Sequence, residues 1–126
     1  MPASYKIDKD RRLVLTSGTD VLTTEDILMH MDQLTSDPDF SPDFFQLVDF
    51  TQVTSVRITS KEIRHLAERN IFSPNARRAV VVSNDLQFGL TRMFEIHRNL
   101  NGENGIHVFR TLAEAIDWLA VDDASR

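Results

Sequence analysis

Cysteine is absent from this chain of 126 residues. Its absence excludes structural disulfides, thiolate catalysis and zinc sites of the CxxC type. Glycine is nearly as scarce, with four residues at positions 18, 89, 102 and 105. They are too few and too scattered to cradle a phosphate, and no Walker loop, GxGxxG or GxSxG elbow occurs. No apolar run approaches the roughly 18 residues that a membrane span needs. The segment MPASYKIDKDRR lacks the apolar stretch of a signal peptide, so the expected location is cytoplasmic. Positive charge is in deficit as well, with a formal net charge of −5. Phosphate contacts come from a basic face, and the pairs Arg11–Arg12 and Arg77–Arg78 are too short to supply one, so no nucleic-acid partner is expected.

What is present is ordinary for a soluble globular protein, at 41% hydrophobic and 26% charged residues. The length suits a single domain over residues 1–126, large enough to bury about two-thirds of its unfolded surface. Tyr5 to Asp8, the charged turn KDRR and the run Leu13–Leu15 read as a hairpin that Gly18 ends. Thr23 caps a first helix, with Asp26 three residues on, and Ile27, Leu28, Met31 and Leu34 form its apolar face. Pro38 and Pro42 stop it. The run from Phe45 to Phe50 reads as a strand, and a second helix runs from about Thr59 to Asn70, with Ile63, Leu66, Ala67 and Asn70 on one side. RAVVVS, residues 78–83, has the continuous apolar character of a central parallel strand. A third helix from near Asp85 to about Leu100 carries a core stripe of Leu86, Leu90, Met93, Phe94, His97 and Leu100, and NGENG breaks it. Ile106–Phe109 is a last strand. Thr111 and Glu114 then open a fourth helix with the stripe Leu112, Ala115, Ile116 and Leu119. The order ββαβαβαβα predicts an α/β fold, a mixed and mostly parallel five-stranded sheet with four helices and an antiparallel edge from the hairpin.

Several motifs fail on their own chemistry. Asp37, Asp39, Ser41 and Asp43 have the alternating oxygens of a calcium loop, but Pro42 and Val48 stand where such a loop needs glycine and a final acid. A proline-rich turn pinned by Phe40 and Phe44 accounts for the segment. His30, His65, His97 and His107 show neither HxH nor HExxH spacing, so no metal and no cofactor is expected. On the third helix Phe88 stands off the core stripe, four residues from Arg92, a spacing that lets a guanidinium lie over a ring. Gly89 between them costs a helix about 1 kcal/mol relative to alanine, which fits a close approach to its backbone. Phe88, Gly89 and Arg92 are therefore a candidate docking patch. The alternative is that Phe88 tucks under a loop and Gly89 lets a neighbouring element pack.

The stretch TSKE, residues 59–62, forms a reciprocal capping box. Thr59 accepts from the backbone N–H of Glu62, whose side chain reaches back to the N–H of Thr59. Its surroundings, LVDFTQVTSV and then a helix with hydroxyls at its start, resemble the central motif of STAS domains, the bacterial anti-anti-sigma-factor antagonists of the SpoIIAA-like fold. DPDFSPDFFQLVDFTQVT, FSPNARRAVVV and FGLTRMFE extend the resemblance to uncharacterised bacterial SpoIIAA-like or STAS-like proteins over nearly the full length. It implies a SpoIIAA-like fold and a regulatory role through protein contacts. The antagonists carry Asp-Ser-Ser-Gly around their phosphorylated serine. Aligned on Val53 and Thr54, this chain has Arg57, Ile58, Thr59 and Ser60 there, with isoleucine at the modified position, so the switch does not carry across. A phosphate on Thr59 would crowd Glu62 and break the box.

Three functional readings follow. The leading one is a non-catalytic interaction or regulatory module offering an outer face, with Thr59, Ser60, Phe88, Gly89 and Arg92 as its surface and a protein partner or a second copy as its target. The homodimer expectation rests on Phe88 and on the apolar faces of the first and third helices. The second reading is a module for a small apolar ligand or lipid, since the fold also resembles the CRAL-TRIO lipid-transfer architecture. Phe40, Phe44, Phe45, Phe72 and Phe88 are its candidate pocket. The third is a small enzyme, for which no residue is nominated.

Overall fold

The computed structural model describes residues 3–69, 71–100 and 105–124. Strands β1 (Ala3–Asp8) and β2 (Leu13–Thr23) lead into helix α1 (Thr24–Thr35), followed by β3 (Phe45–Arg57), α2 (Ser60–Glu68), β4 (Arg78–Val81), α3 (Asp85–Leu100), β5 (Ile106–Phe109) and α4 (Leu112–Ala124). The five strands lie in chain order, with β1 antiparallel to β2 and every later pair parallel. This is the ββαβαβαβα sheet expected. In a sheet that advances in one direction, right-handed crossovers all land on the same side. Helices α1, α2 and α3 are such crossovers, and side chains from all three line one cavity over the sheet. Helix α4 follows the last strand, is under no such constraint, and packs through Ala115 and Leu119 on Ala79 and Val81 of the opposite face.

The three predicted helix caps are held by local hydrogen bonds. Thr23 with Asp26, and Thr59 with Glu62, form full capping boxes, and Thr111 Oγ1 accepts from the N–H of Glu114 at 3.2 Å. In the KDRR turn, Arg12 adopts φ 54° and its guanidinium lies over Phe44.

Several boundaries and faces differ from expectation. Gly18 does not end β2, which continues to Thr23. It is buried, and a Cβ there would fall 2.8 Å from the ring of Phe50, so the glycine makes room for that ring at a shift in the β2–β3 register. β3 likewise runs past the expected strand end at Phe50 to Arg57, through TQVTSVR, because the extended β2 pairs with it. Leu28 and Ile116 are 37% and 51% exposed, while their stripe neighbours Leu34 and Ala115 are fully buried. The buried arc of each helix is narrower than the apolar pattern. α2 ends at Glu68. Asn70 and Gly102, and the side chains of Leu86, Leu90 and Leu100, lie outside the described residues.

Candidate functional site

Alternation along β3 and β4 sends Gln46, Val48 and Phe50, with Arg78, Val80 and Val82, towards the three crossover helices. Together they wall an apolar cavity of about 120 Å³. Ile27, His30 and Met31 of α1, Ile63 and Leu66 of α2, and Gln87, Thr91 and Phe94 of α3 line its helical side. Most of this wall is aliphatic or aromatic, which makes its few polar members informative.

Four of them form one hydrogen-bonded row. Arg78 Nε donates to Gln46 Oε1 at 3.0 Å, Gln46 Nε2 donates to Thr16 Oγ1 at 3.0 Å, and Thr16 Oγ1 lies 3.0 Å from His30 Nε2. A guanidinium can only donate, which fixes the Gln46 amide with its oxygen towards Arg78 and its nitrogen towards Thr16. The Thr16 hydroxyl, which accepts from Gln46, completes the row with Nε2 of a neutral His30, the direction of that last bond following the imidazole tautomer. The electrostatics agree. Burial, and next the charge of Arg78, push the His30 imidazole down to about 4. Arg78 also lies 4.3 Å over the Phe72 ring, which meets Phe40 edge-on.

A fifth polar side chain stands apart. Asn84 Oδ1 accepts from the backbone N–H of Gln87, so Gln87 occupies the third position of α3, where a glutamine commonly turns back to the helix start. Here it turns inward, and its Nε2 donates to the carbonyl of Val53 at 2.7 Å. β4 pairs with β3 only as far as Asp49, so the Val53 carbonyl lies beyond that ladder and the glutamine amide supplies a donor in place of a strand. Gln87 Oε1 is buried and has no hydrogen-bond partner among the described residues.

The residues nominated from the sequence are scattered. Of Phe40, Phe44, Phe72 and Phe88, only Phe72 lines the cavity. Phe40 and Phe44 pack with it in a neighbouring core cluster, as does Phe45, which also packs against the α4 cluster. Phe88 is half-buried beneath Arg110, whose guanidinium lies 4.3 Å over its ring. The Arg92 guanidinium does not cover that ring, because it is drawn to the buried carboxylate of Glu95. Gly89 is exposed, with nothing within 4 Å of where a Cβ would stand, so no element of this chain uses it for close packing. Thr59 and Ser60 are exposed at the start of α2. No hydrogen bond or ring contact among the described residues joins them to Phe88, Gly89 or Arg92.

The cavity departs from the expectation of an outer face without a sheltered interior, since a hydroxyl and an imidazole meet inside it. Sequence reasoning passed over Thr16, His30, Gln46, Arg78 and Gln87. Two of them carried a signal. His30 falls between Ile27 and Leu34 at helical spacing, and Gln46 interrupts an otherwise apolar strand.

No family model matches the chain, and neither does any curated protein. Among solved structures it is similar to an uncharacterised protein of the DUF3478 family with a SpoIIAA-like fold from Shewanella loihica PV-4. The TM-score is 0.59 and the identity 20%, over 93% of each chain. The chain has a SpoIIAA-like fold. At this identity the likeness concerns architecture alone, and in this version of the SpoIIAA-like fold the crossover helices roof a cavity. Among the described residues no helix is long and apolar enough to cross a membrane, and no group of three histidines or acids could hold a metal ion.

Proposed function

We propose that this SpoIIAA-like domain is a non-catalytic binding module whose working part is the cavity beneath α1, α2 and α3, and that its ligand is small and apolar. The observation that carries this is an apolar hollow of about 120 Å³ in a chain this short. Close-packed interiors leave few voids larger than a water molecule, and a dry cavity of ~150 Å³ is enough to take benzene. The volume sits well below the ~300–1,000 Å³ of common ligand pockets. That favours a compact molecule over a whole lipid and narrows the reading taken from the CRAL-TRIO likeness.

Binding without chemistry is supported by the state of the polar row. A general base works best with a pKa near the operating pH, whereas His30 is held near 4. The Thr16 oxygen, the one candidate nucleophile beside it, already accepts from Gln46. A thermal-shift screen of small aromatic and aliphatic compounds, alongside fatty acids and phospholipids, tests the reading. Compact apolar compounds should raise Tm in the wild type and lose that effect in Val80→Ile, which fills part of the cavity. No stabilisation by any compound retires it.

An interaction or regulatory role is a second reading, favoured by apolar residues left open on the outer sides of two helices. Met29 of α1 is 48% exposed and Ile96 of α3 47%, and Gly89, two helical turns before Ile96 on α3, leaves its own backbone uncovered. Self-association through these faces predicts a dimer by native mass spectrometry at micromolar concentration. Monomer alone would count against it.

A further inference from the structure

Three buried side-chain oxygens have no hydrogen-bond partner among the described residues, those of Thr24, Gln87 and Glu95. Of these residues only Gln87 belongs to the cavity wall. Resting on the cavity reading above, we propose that the ligand is a hydrogen-bond donor, a compact apolar molecule carrying one hydroxyl, and that Gln87 Oε1 is the atom that recognises it.

Donor and acceptor chemistry leads to this atom and away from more conspicuous ones. His30 and Arg78 look like recognition groups, but they close a row in which each member serves the next, from Arg78 through Gln46 and Thr16 to His30. Gln87 differs. The Val53 carbonyl can only accept, so it fixes the glutamine nitrogen on its own side. The oxygen is thereby committed to the other side, where nothing in the described chain donates to it. A buried polar atom left unpaired is costly, and the large majority of buried side-chain polar atoms in native structures have partners.

Water is a poor answer here. A buried water typically makes about three hydrogen bonds, whereas Gln87 shares its part of the wall with one other polar side chain, Thr91 one helical turn on, and with apolar Ala3, Leu22, Ile27, Phe50 and Val56. A molecule that brings one O–H and otherwise apolar surface matches this wall better, since it meets the unpaired oxygen of Gln87 and brings no second polar group to be stranded. The saturated row lies further back along β3, since Gln46 precedes Val53 by seven residues of the strand. Both volume and polarity therefore point to something of phenol's size and chemistry.

The probes are phenol and toluene, which differ by a hydroxyl in place of a methyl group. Their binding to the intact chain is followed by ligand-observed NMR and calorimetry. Phenol should bind at least tenfold more tightly than toluene to the wild type. In Gln87→Met, which keeps the length of the side chain and removes the acceptor, that preference should vanish while toluene still binds. Equal affinities in the wild type would overturn the role of Gln87 and leave the cavity reading standing. Failure of both probes to bind at millimolar concentration would remove both. The wild-type comparison needs no variant, so it decides the matter even if Gln87→Met is poorly folded.

Discussion

Successive residues of β4 live in different surroundings. Ala79 and Val81 point to α4 and are fully buried in a cluster with Ala115 and Leu119. Arg78 and Val80 point the other way, to the cavity and its polar row. One face of the sheet carries a single helix seated directly on it. The other is roofed by three crossover helices meeting at their edges, with space and hydrogen-bonded polar groups between roof and sheet. A face packed by one element can be optimised for density, and a face shared by three leaves a seam where side chains of different helices must meet.

The largest test of this contrast is pH. The folded chain holds His30 near 4, below the ~6.5 of a free imidazole, so between those values the unfolded chain binds more protons. Stability should rise with pH across that window and level off above it, a difference on the order of 3 kcal/mol attributable to the cavity face. Urea midpoints at pH 4 to 7 for the wild type and His30→Leu measure it, and the variant should lose most of the slope. Equal slopes would mean that the imidazole is not held neutral.

The same substitution made on the two faces comes next. Val81→Ile adds a methylene where there is no room and should cost about 1–3 kcal/mol. Val80→Ile adds it towards the cavity and should be neutral or stabilising by up to about 1 kcal/mol. Denaturant midpoints that fall equally for both would erase the distinction between the faces.

A smaller effect is expected where a roof helix begins. Thr59→Ala removes the N-cap of α2 and should lower stability by about 1 kcal/mol in equilibrium unfolding. The backbone N–H of Thr59 is the main reason that Glu62 titrates below the usual carboxylate range. This part of the box therefore contributes above that range and is lost as pH falls through the depressed value. The smallest effect belongs to the outer side of the roof. Gly89→Ala, with no atom to collide with, should gain up to about 1 kcal/mol from helix propensity, read as a higher Tm with unchanged ligand binding.

Much of this was legible in the chain, and the boundary between legible and hidden is one of distance along it. The capping residues Thr23, Thr59 and Thr111 each act over three residues, so each helix start could be read where it stands. The mixed sheet with its antiparallel edge follows from ββαβαβαβα, and the common side of the crossovers follows from their handedness once the strands lie in chain order. Local pattern failed where a neighbour decided the outcome. Gly18 looked like a terminator because the ring of Phe50 that needs its missing Cβ is supplied by another strand. Arg92 looked like a partner for Phe88 because the i, i+4 spacing is local, whereas Arg110 reaches that ring from beyond β5.

The cavity belonged to the tertiary level, although His30 and Gln46 in its wall each left a trace in the sequence. Its polar row is closed by contacts between residues 14, 30 and 32 positions apart, and Gln87 reaches across 34 to Val53. Periodicity and caps are short-range properties that one stretch of chain carries in itself. A hollow has no such local cause, since it is the volume left over when helices from three separate segments settle on one sheet.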